Sequence, residues 1–178
     1  MAEQTANRPF AFWALYAGLG VFVIFVQLLP LETEPRRWAA PDYMMCLAYA
    51  WVLRRPDAVP ALLVATIVLL ADFLFQRPPG LWAAFVVIGL EVLRSRAIFM
   101  RGGTFLLEWF TVIVVIGLVI VAHRLGLMLF LIEPAPLALD ASLFLSTAFA
   151  YPVMVAASHY LFGVRKAAPG EYDPVEAR

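Results

Sequence analysis

The chain has 178 residues, of which 63% are hydrophobic and 15% are charged. A soluble domain is usually about 45–50% apolar and roughly 25% charged, so this composition predicts an integral membrane protein and leaves little for a water-soluble domain. The 13 basic residues balance the 13 acidic ones, which excludes a basic field for nucleic acid and an acidic tail. Cys46 stands alone, so no internal disulfide forms, and we expect this thiol to be a small buried hydrophobe.

The first predicted element is a membrane-spanning helix over residues 10–29. These twenty residues carry no charge and include twelve Leu, Ile, Phe and Val side chains. Crossing a hydrocarbon layer takes about 20 mostly apolar residues, and twelve such side chains favour insertion by about 4–7 kcal/mol in total. The run is longer than the roughly 7–15 apolar residues of a signal peptide, and no small-x-small cleavage site follows it. We therefore expect a retained helix, ended by Pro30.

Five more apolar segments follow, separated by clusters of Pro, Gly and charged residues. They predict helices over 41–54, 58–75, 81–95, 104–125 and 140–162. The fifth helix either ends near 125 or continues to Ile132 with a break at Gly126, and Pro152 is expected to kink the sixth. The predicted fold class is all-α: a polytopic membrane protein with six transmembrane helices in one domain over 1–163. Residues 164–178 are predicted to form a polar, disordered cytoplasmic tail.

The second and fourth predicted helices are short. About 14 residues at 1.5 Å each reach only about 21 Å, which is less than the hydrocarbon thickness. We expect neighbouring helices to shield them and aromatic residues to flank them in the interfacial layers. The aromatic residues at or near their ends are Trp38, Tyr43, Trp51 and Trp82.

The basic residues divide unevenly between the two predicted faces. Nine lie on one face: Arg8, Arg54, Arg55, Arg94, Arg96, Arg101, Arg165, Lys166 and Arg178. Three lie on the other: Arg36, Arg37 and Arg77. Cytoplasmic loops carry the excess of Lys and Arg, so the first face is predicted to be cytoplasmic. Both termini then lie in the cytoplasm, as an even number of crossings requires.

Ionisable side chains inside or beside the apolar runs are candidate functional residues. Near the predicted cytoplasmic face, Glu91 and Arg94 share one side of a helix at i,i+3 spacing, and Glu108 lies at similar depth, close in sequence to Arg101. These residues form either a structural salt-bridge cluster or a docking site for a partner's helix or loop.

At the opposite face, Asp72 and Arg124 lie at equal predicted depth on the third and fifth helices. We expect them to pair and lock the two helices together; the alternative is a polar site for an external partner or ligand. His123 lies at this face and His159 at the other, so the two cannot share a metal. No Ser/His/Asp, Cys/His or HExxH set is placed for catalysis, and no cofactor is expected.

Five short motifs occur in order along the middle of the chain. They are Pro41-Asp42, Trp51-x-Leu-Arg-Arg-Pro56, Leu70-Ala-Asp72, Arg77-Pro-Pro-Gly-Leu-Trp82 and Glu91-x-Leu-Arg-Ser-Arg96. Over about residues 41–109 the chain resembles the rod shape-determining protein MreD family, in its alphaproteobacterial form. In that family a Pro-Asp pair opens the second helix, and an acidic residue near the end of the next helix precedes a tight turn. Outside this block the likeness is one of hydropathy.

The resemblance implies a non-enzymatic subunit of the bacterial inner membrane that serves the cell-elongation complex. Its implied partner is the bitopic protein MreC, in an assembly with MreB filaments, the RodA glycosyltransferase and a class B penicillin-binding transpeptidase. It also implies a helix arrangement similar to the substrate-binding S components of energy-coupling-factor transporters. The positions that match family motifs are Asp42, Asp72, Pro79 and Gly80. Their purely architectural interpretation is a helix N-cap for Asp42 and a turn for Pro79 and Gly80.

Three functions are therefore weighed. A scaffold that binds other membrane proteins is favoured by the lack of a catalytic set and by the small loops. A small-molecule binder of the S-component kind is supported weakly by the two short helices. An intramembrane enzyme acting on lipid-linked substrates would depend on Glu91, Glu108 and nearby Arg residues.

Overall fold

The computed structural model describes residues 3–29, 38–56, 59–100 and 102–164, with side chains from residue 10 onward. The helices in these ranges are α1 (Glu3–Leu28), α2 (Tyr43–Arg54), α3 (Ala61–Leu74), α4 (Leu81–Met100), α5 (Phe105–Leu129) and α6 (Leu137–Phe162). The all-α prediction is confirmed for this part of the chain. Three of the helices are long and apolar enough to cross a membrane: α1 from Phe10, α5 and α6.

Most helix ends lie within three residues of the predicted ones, although α1 begins seven residues early, at Glu3. The predicted end of the fourth helix near 95 is wrong, because α4 continues to Met100. Neither Arg nor Ser breaks a helix, and the guanidinium of Arg94 on α4 donates to carbonyls in the connection between α2 and α3. The 20 residues of α4 span about 30 Å, so this helix is not short.

The predicted alternatives for the fifth helix are both replaced by a continuous helix. α5 passes through Gly126 without a break and ends at Leu129. A Cβ added at Gly126 would lie 3.1 Å from the side chains of Leu81 and Phe85 on α4. The glycine therefore allows close approach of two helices and does not mark a helix end.

The predicted tail is corrected at its first residue. Val164 is buried, and its N–H donates to the Ser158 carbonyl at 3.1 Å. Gly163, with φ of 63°, ends α6 in the left-handed conformation that favours glycine and turns the chain back toward the helix. Residues 165–178, on which the rest of the tail prediction falls, lie outside the described residues.

Hydrogen bonds between helices give the direction in which each one runs. The Asp42 N–H donates to Thr147 Oγ1 at 3.1 Å, and Trp51 Nε1 donates to Ser158 Oγ at 3.0 Å. Because both residue numbers increase together, α2 and α6 are parallel.

The opposite relation holds for α3 and α4. The Ala83 N–H donates to Asp72, whereas Arg94 donates to the Val59 carbonyl just before α3. These helices are therefore antiparallel, and the bundle has two ends. The "Asp42 end" contains Leu28, Tyr43, Leu74, Leu81, Leu129 and Leu137, and the "Arg54 end" contains the opposite helix termini.

The short helix α2 is the centre of the bundle. Every residue from Met44 to Arg54 is buried, and α2 packs against α1, α4 and α6. Its 12 residues reach about 18 Å, so the prediction that neighbours shield a short second helix is confirmed. Cys46 is buried as predicted, and its S–H donates to the Thr147 carbonyl at 3.4 Å.

The interfacial position predicted for two tryptophans is wrong. Trp51 has no exposed surface, and Trp82 is 4% exposed. Each indole N–H instead donates to a side chain on or beside another helix: Ser158 for Trp51, and Asp42 for Trp82. Both residues bind helices together, because a buried indole N–H needs a partner. Trp38 and Tyr43 are exposed.

Large apolar side chains cover the outside of α1, α5 and α6. Those more than half exposed are Phe10, Val21, Phe22, Phe25, Leu106, Leu107, Phe110, Leu118, Val121, Leu125, Leu129, Leu137, Phe149, Val153, Tyr160 and Leu161. Exposing such a surface to water costs about 25 cal/mol per Å², whereas lipid tails accept it without that cost. The helices that are long enough to cross a membrane therefore also carry a surface suited to one.

Gly89 of α4 makes room for the Tyr49 side chain of α2. The Tyr49 hydroxyl donates to the Val86 carbonyl at 3.2 Å. A Cβ added at Gly89 would overlap that hydroxyl oxygen and lie 3.0 Å from Val119 Cγ2. Gly89→Ala should therefore lower the thermal unfolding midpoint in detergent, at a free-energy cost of about 1–3 kcal/mol.

Gly18→Ala on α1 is the matched control, because no atom lies within 4 Å of a Cβ added there. Alanine favours a helix by about 1 kcal/mol over glycine, so this variant should be as stable as the parent or more so. Adding Tyr49→Phe to Gly89→Ala should recover part of the loss. Equal midpoints for the two alanine variants would contradict the packing described.

Candidate functional site

Asp42 is the centre of a polar network at the N-terminus of α2. One carboxylate oxygen, Oδ1, accepts the Met45 N–H at 2.9 Å, which confirms the predicted N-cap. The other, Oδ2, accepts Trp82 Nε1–H at 3.0 Å, and the Asp42 N–H donates to Thr147 Oγ1 at 3.1 Å. A cap is worth about 0.5–2 kcal/mol, and this one also ties α2 to α4 and α6.

Asp72, at the end of α3, caps the next helix. Its Oδ2 accepts the Gly80 N–H at 3.1 Å and the Ala83 N–H at 3.2 Å. These donors belong to the first turn of α4 and its approach, where backbone N–H groups have no partner inside the helix and the helix dipole favours a negative charge. The predicted Pro79-Gly80 turn is present, and the Gly80 φ of 84° is one that glycine adopts without strain.

The predicted pairing of Asp72 with Arg124 is wrong. Arg124 Nη1 bonds to Asp140 Oδ2 on α6 and donates to the Ala135 carbonyl at 2.7 Å. Asp72 instead faces unsatisfied N–H groups only eight and eleven residues along the chain. The N-terminus of α4 binds the Asp72 carboxylate, and Arg124 joins α5 to α6.

A second polar network lies at the Arg54 end. Glu108 Oε1 accepts Arg54 Nη1–H at 2.8 Å and the Tyr151 hydroxyl at 2.7 Å. Arg54 Nη1 also donates to the Ala50 carbonyl at 3.0 Å. Glu108 is 1% exposed and Arg54 is 8% exposed, so this is a buried ion pair. It joins the last turn of α2 to the first turn of α5, and both positions suit the helix dipoles.

The sequence predicts that Glu108 clusters with Glu91 and Arg94. In the structure Glu108 instead binds Arg54 and Tyr151. Glu91 and Arg94 form the predicted i,i+3 pair at 3.0 Å, with Glu91 about half exposed. Arg94 also donates to the carbonyls of Pro56 and Val59, at 3.1 and 2.5 Å. The pair therefore ties α4 to the connection between α2 and α3. Arg101, the other residue considered for Glu108, lies outside the described residues.

The Arg54–Glu108 pair was missed, although the sequence holds a signal for it. A basic residue in the last turn of one helix and an acidic residue in the first turn of another lie at the same end of an antiparallel bundle. Tyr151 gave no such signal, because its hydroxyl meets Glu108 only through the packing of α6 against α5.

A pocket of about 620 Å³ opens at the Asp42 end. Its lining residues are Gln27, Leu28, Ala40, Pro41, Asp42, Leu74, Phe75, Gln76, Arg77, Trp82, Ile120, His123, Asp140 and Leu143. The Arg77 guanidinium lies over two rings, 5.2 Å from the Phe75 centroid and 5.7 Å from that of Trp82. The His123 ring stands perpendicular to Trp82 at 4.9 Å. All six described helices or their ends thus supply one mixed polar and apolar cavity.

Within the described ranges, no three His, Cys, Asp or Glu side chains are grouped so as to hold a metal ion. Comparison with protein-family models, with curated proteins and with solved structures gave no match to the chain. The function proposed below therefore depends on the geometry of the site.

The buried ion pair generates a prediction about stability. Arg54→Leu and Glu108→Leu should each destabilise the fold by about 3–5 kcal/mol, because each removes one member of a buried ion pair and leaves the other charge buried. The double substitution should cost clearly less than the sum of the two. Unfolding by SDS titration in mixed micelles, read from tryptophan fluorescence, measures all three.

The exposed pair is the matched control. Glu91→Leu should change stability by about 0–1 kcal/mol, because a solvent-exposed salt bridge contributes little. Additive effects of Arg54→Leu and Glu108→Leu would mean that the two charges are not coupled.

Proposed function

We propose that this chain is an MreD-type, non-enzymatic subunit of a bacterial cell-elongation complex in the inner membrane, with six crossings and both termini in the cytoplasm. Its direct partner would be an MreC-type bitopic membrane protein. Through that partner it would act with MreB filaments, RodA glycosyltransferase and a class B penicillin-binding transpeptidase.

One observation carries this proposal. Three of the five motifs of the resemblance, Pro41-Asp42, Leu70-Ala-Asp72 and Arg77-Pro-Pro-Gly-Leu-Trp82, form one connected structure at the Asp42 end. Asp42 binds Trp82, and Asp72 binds the Gly80 turn that leads into Trp82. A set of motifs that meet in space and hold three helices together is what a shared fold requires. The S-component likeness remains part of the proposal.

A scaffold role is supported by how the acidic side chains are used. The carboxylates of Asp42, Asp72 and Glu108 each accept two hydrogen bonds that fasten helix ends. Glu91, the other acid on which an enzyme hypothesis depended, is about half exposed and is held by Arg94. The long apolar faces of α1, α5 and α6 are then available for helix–helix contacts within the bilayer.

The alternating helix directions support the six-crossing topology. Cysteine labelling tests it well, because the native Cys46 is buried and should give little background. Gln76 and Ser95 are both exposed, at opposite ends of the bundle. An impermeant maleimide should label Gln76→Cys in intact spheroplasts, and Ser95→Cys only after permeabilisation. The reverse result, or labelling of both in intact spheroplasts, would contradict the proposed orientation.

Partner capture tests the function. The tagged full-length chain, solubilised in a mild detergent, should retain an MreC-type protein from the same organism, and an unrelated polytopic protein at matched expression should not. Glu91→Gln should keep this capture. The Glu91 carboxylate pairs with Arg94 at 3.0 Å within this chain, so we do not expect it to be the group that binds the partner. Absence of the MreC-type protein from the wild-type eluate would count against the whole assignment.

A small-molecule binder of the S-component kind is the second candidate. The described core is filled by apolar side chains of α2, α4 and α5, which argues against a closed central cavity. The observation in its favour is the pocket of about 620 Å³ at the Asp42 end, a size typical of small-ligand sites, which span about 300–1,000 Å³.

A further inference from the structure

We propose that the pocket at the Asp42 end binds a small zwitterion that carries an oxyanion and a protonated amine, such as a phosphoethanolamine group. The group could come from a membrane phospholipid or from a soluble molecule. This inference deepens the second candidate function and does not depend on capture of an MreC-type partner.

Arg77 supplies the anion-binding half of the pocket. Its guanidinium is positioned by the rings of Phe75 and Trp82, and among the described residues it makes no ion pair or hydrogen bond. A guanidinium has five N–H donors in a planar fork that matches phosphate and carboxylate oxygens. Held over two rings, this fork loses little freedom when it binds an oxyanion.

Gln76 is the second element of that half. Its φ of 56° lies in the left-handed region, at the position after α3 where glycine is usual. A non-glycine residue there costs roughly 1–2 kcal/mol. The chain accepts this strain at a residue that lines the pocket beside Arg77 and carries an amide side chain. Strain of this kind, found beside a cavity, points to a role for the side chain itself.

The carboxylates of Asp42 and Asp140 decide against a simple anion. Both line the pocket, and a ligand with only negative charge would be repelled by them. Asp140 is balanced by Arg124, and Asp42 receives two N–H donors, yet each carboxylate has further acceptor sites. A protonated amine satisfies those sites while its oxyanion binds Arg77. A ligand with no net charge therefore fits the charge of the walls.

The apolar part of the lining suits what would be attached to such a group. Leu28, Ile120 and Leu143 line the pocket with the polar residues, and Leu28 is exposed on the outer side of α1. A chain that leaves the pocket past Leu28 would contact an apolar side chain that is also exposed on the outside of the bundle.

The test uses the full-length protein in nanodiscs of phosphatidylethanolamine, phosphatidylcholine or phosphatidylglycerol, and in detergent with soluble glycerophosphoethanolamine, a phosphodiester with no net charge. Native mass spectrometry counts retained lipid, and calorimetry measures the soluble probe. Preferential retention of phosphatidylethanolamine assigns the lipid source, and binding of glycerophosphoethanolamine alone assigns a soluble source. Equal retention of all three lipids together with no binding of glycerophosphoethanolamine overturns the proposal.

Two variants separate ligand binding from folding, and each has a matched control. Gln76→Gly should be at least as stable as the parent, since it relieves the left-handed strain, but should bind the zwitterion several-fold more weakly. Leu131→Gly relieves the same strain at φ of 58° outside the pocket and should bind normally. Arg77→Gln should weaken binding by about tenfold or more, as expected for loss of a charged hydrogen bond. Arg96→Gln, an exposed Arg at the other end of α4, should have no effect.

Normal binding by both Gln76→Gly and Arg77→Gln overturns the proposal, whatever the partner-capture result. If the wild type does not bind the zwitterion but still captures an MreC-type protein, this inference is wrong and the proposed scaffold function is unaffected.

Discussion

The structure depends on the burial of α2, the shortest of the described helices. α2 has 12 residues, and all of those from Met44 to Arg54 are buried. A buried helix cannot leave its terminal N–H and C=O groups or its charged ends to water, so the rest of the protein must satisfy them. Asp42 does so at one end, and Arg54 with Glu108 does so at the other. The same two residues also bind other helices: Asp42 binds Trp82 of α4, and Arg54 binds Glu108 of α5.

The same constraint explains why the polar residues inside the bundle have structural roles. In an apolar environment a charge is tolerated only when it is paired or bound by several donors. Asp42, Asp72 and Glu108 each have two donors, and most of those donors belong to a different helix. Function is then left to two other surfaces: the apolar exterior of α1, α5 and α6, and the pocket that forms where helix ends diverge around Arg77 and Gln76.

Some interactions were predictable because they are local. The Asp42 cap, the Glu91–Arg94 pair and the Pro79-Gly80 turn involve residues within four positions of one another, where backbone geometry alone brings the groups together. The pairing of Asp72 with Arg124 failed because equal depth does not specify which helix faces which. The interfacial prediction for Trp51 failed for a related reason, since its position near a helix end does not specify whether other helices cover it.

The sequence by itself determined the all-α class, the number and approximate bounds of the helices, and the apolar character that requires a nonaqueous solvent. Those properties follow from composition, helix-breaking residues and the energy of burying each side chain, which are sums over local terms. Only the tertiary structure decided that α2 is central, that Glu108 binds Arg54 and Tyr151, and that residues of all six described helices or their ends form a pocket. These properties depend on which helix faces meet, and with nearly every face apolar, hydrophobicity cannot distinguish them. Close contacts such as Gly89 with Tyr49, and a few buried hydrogen bonds, determine which helix faces pack together.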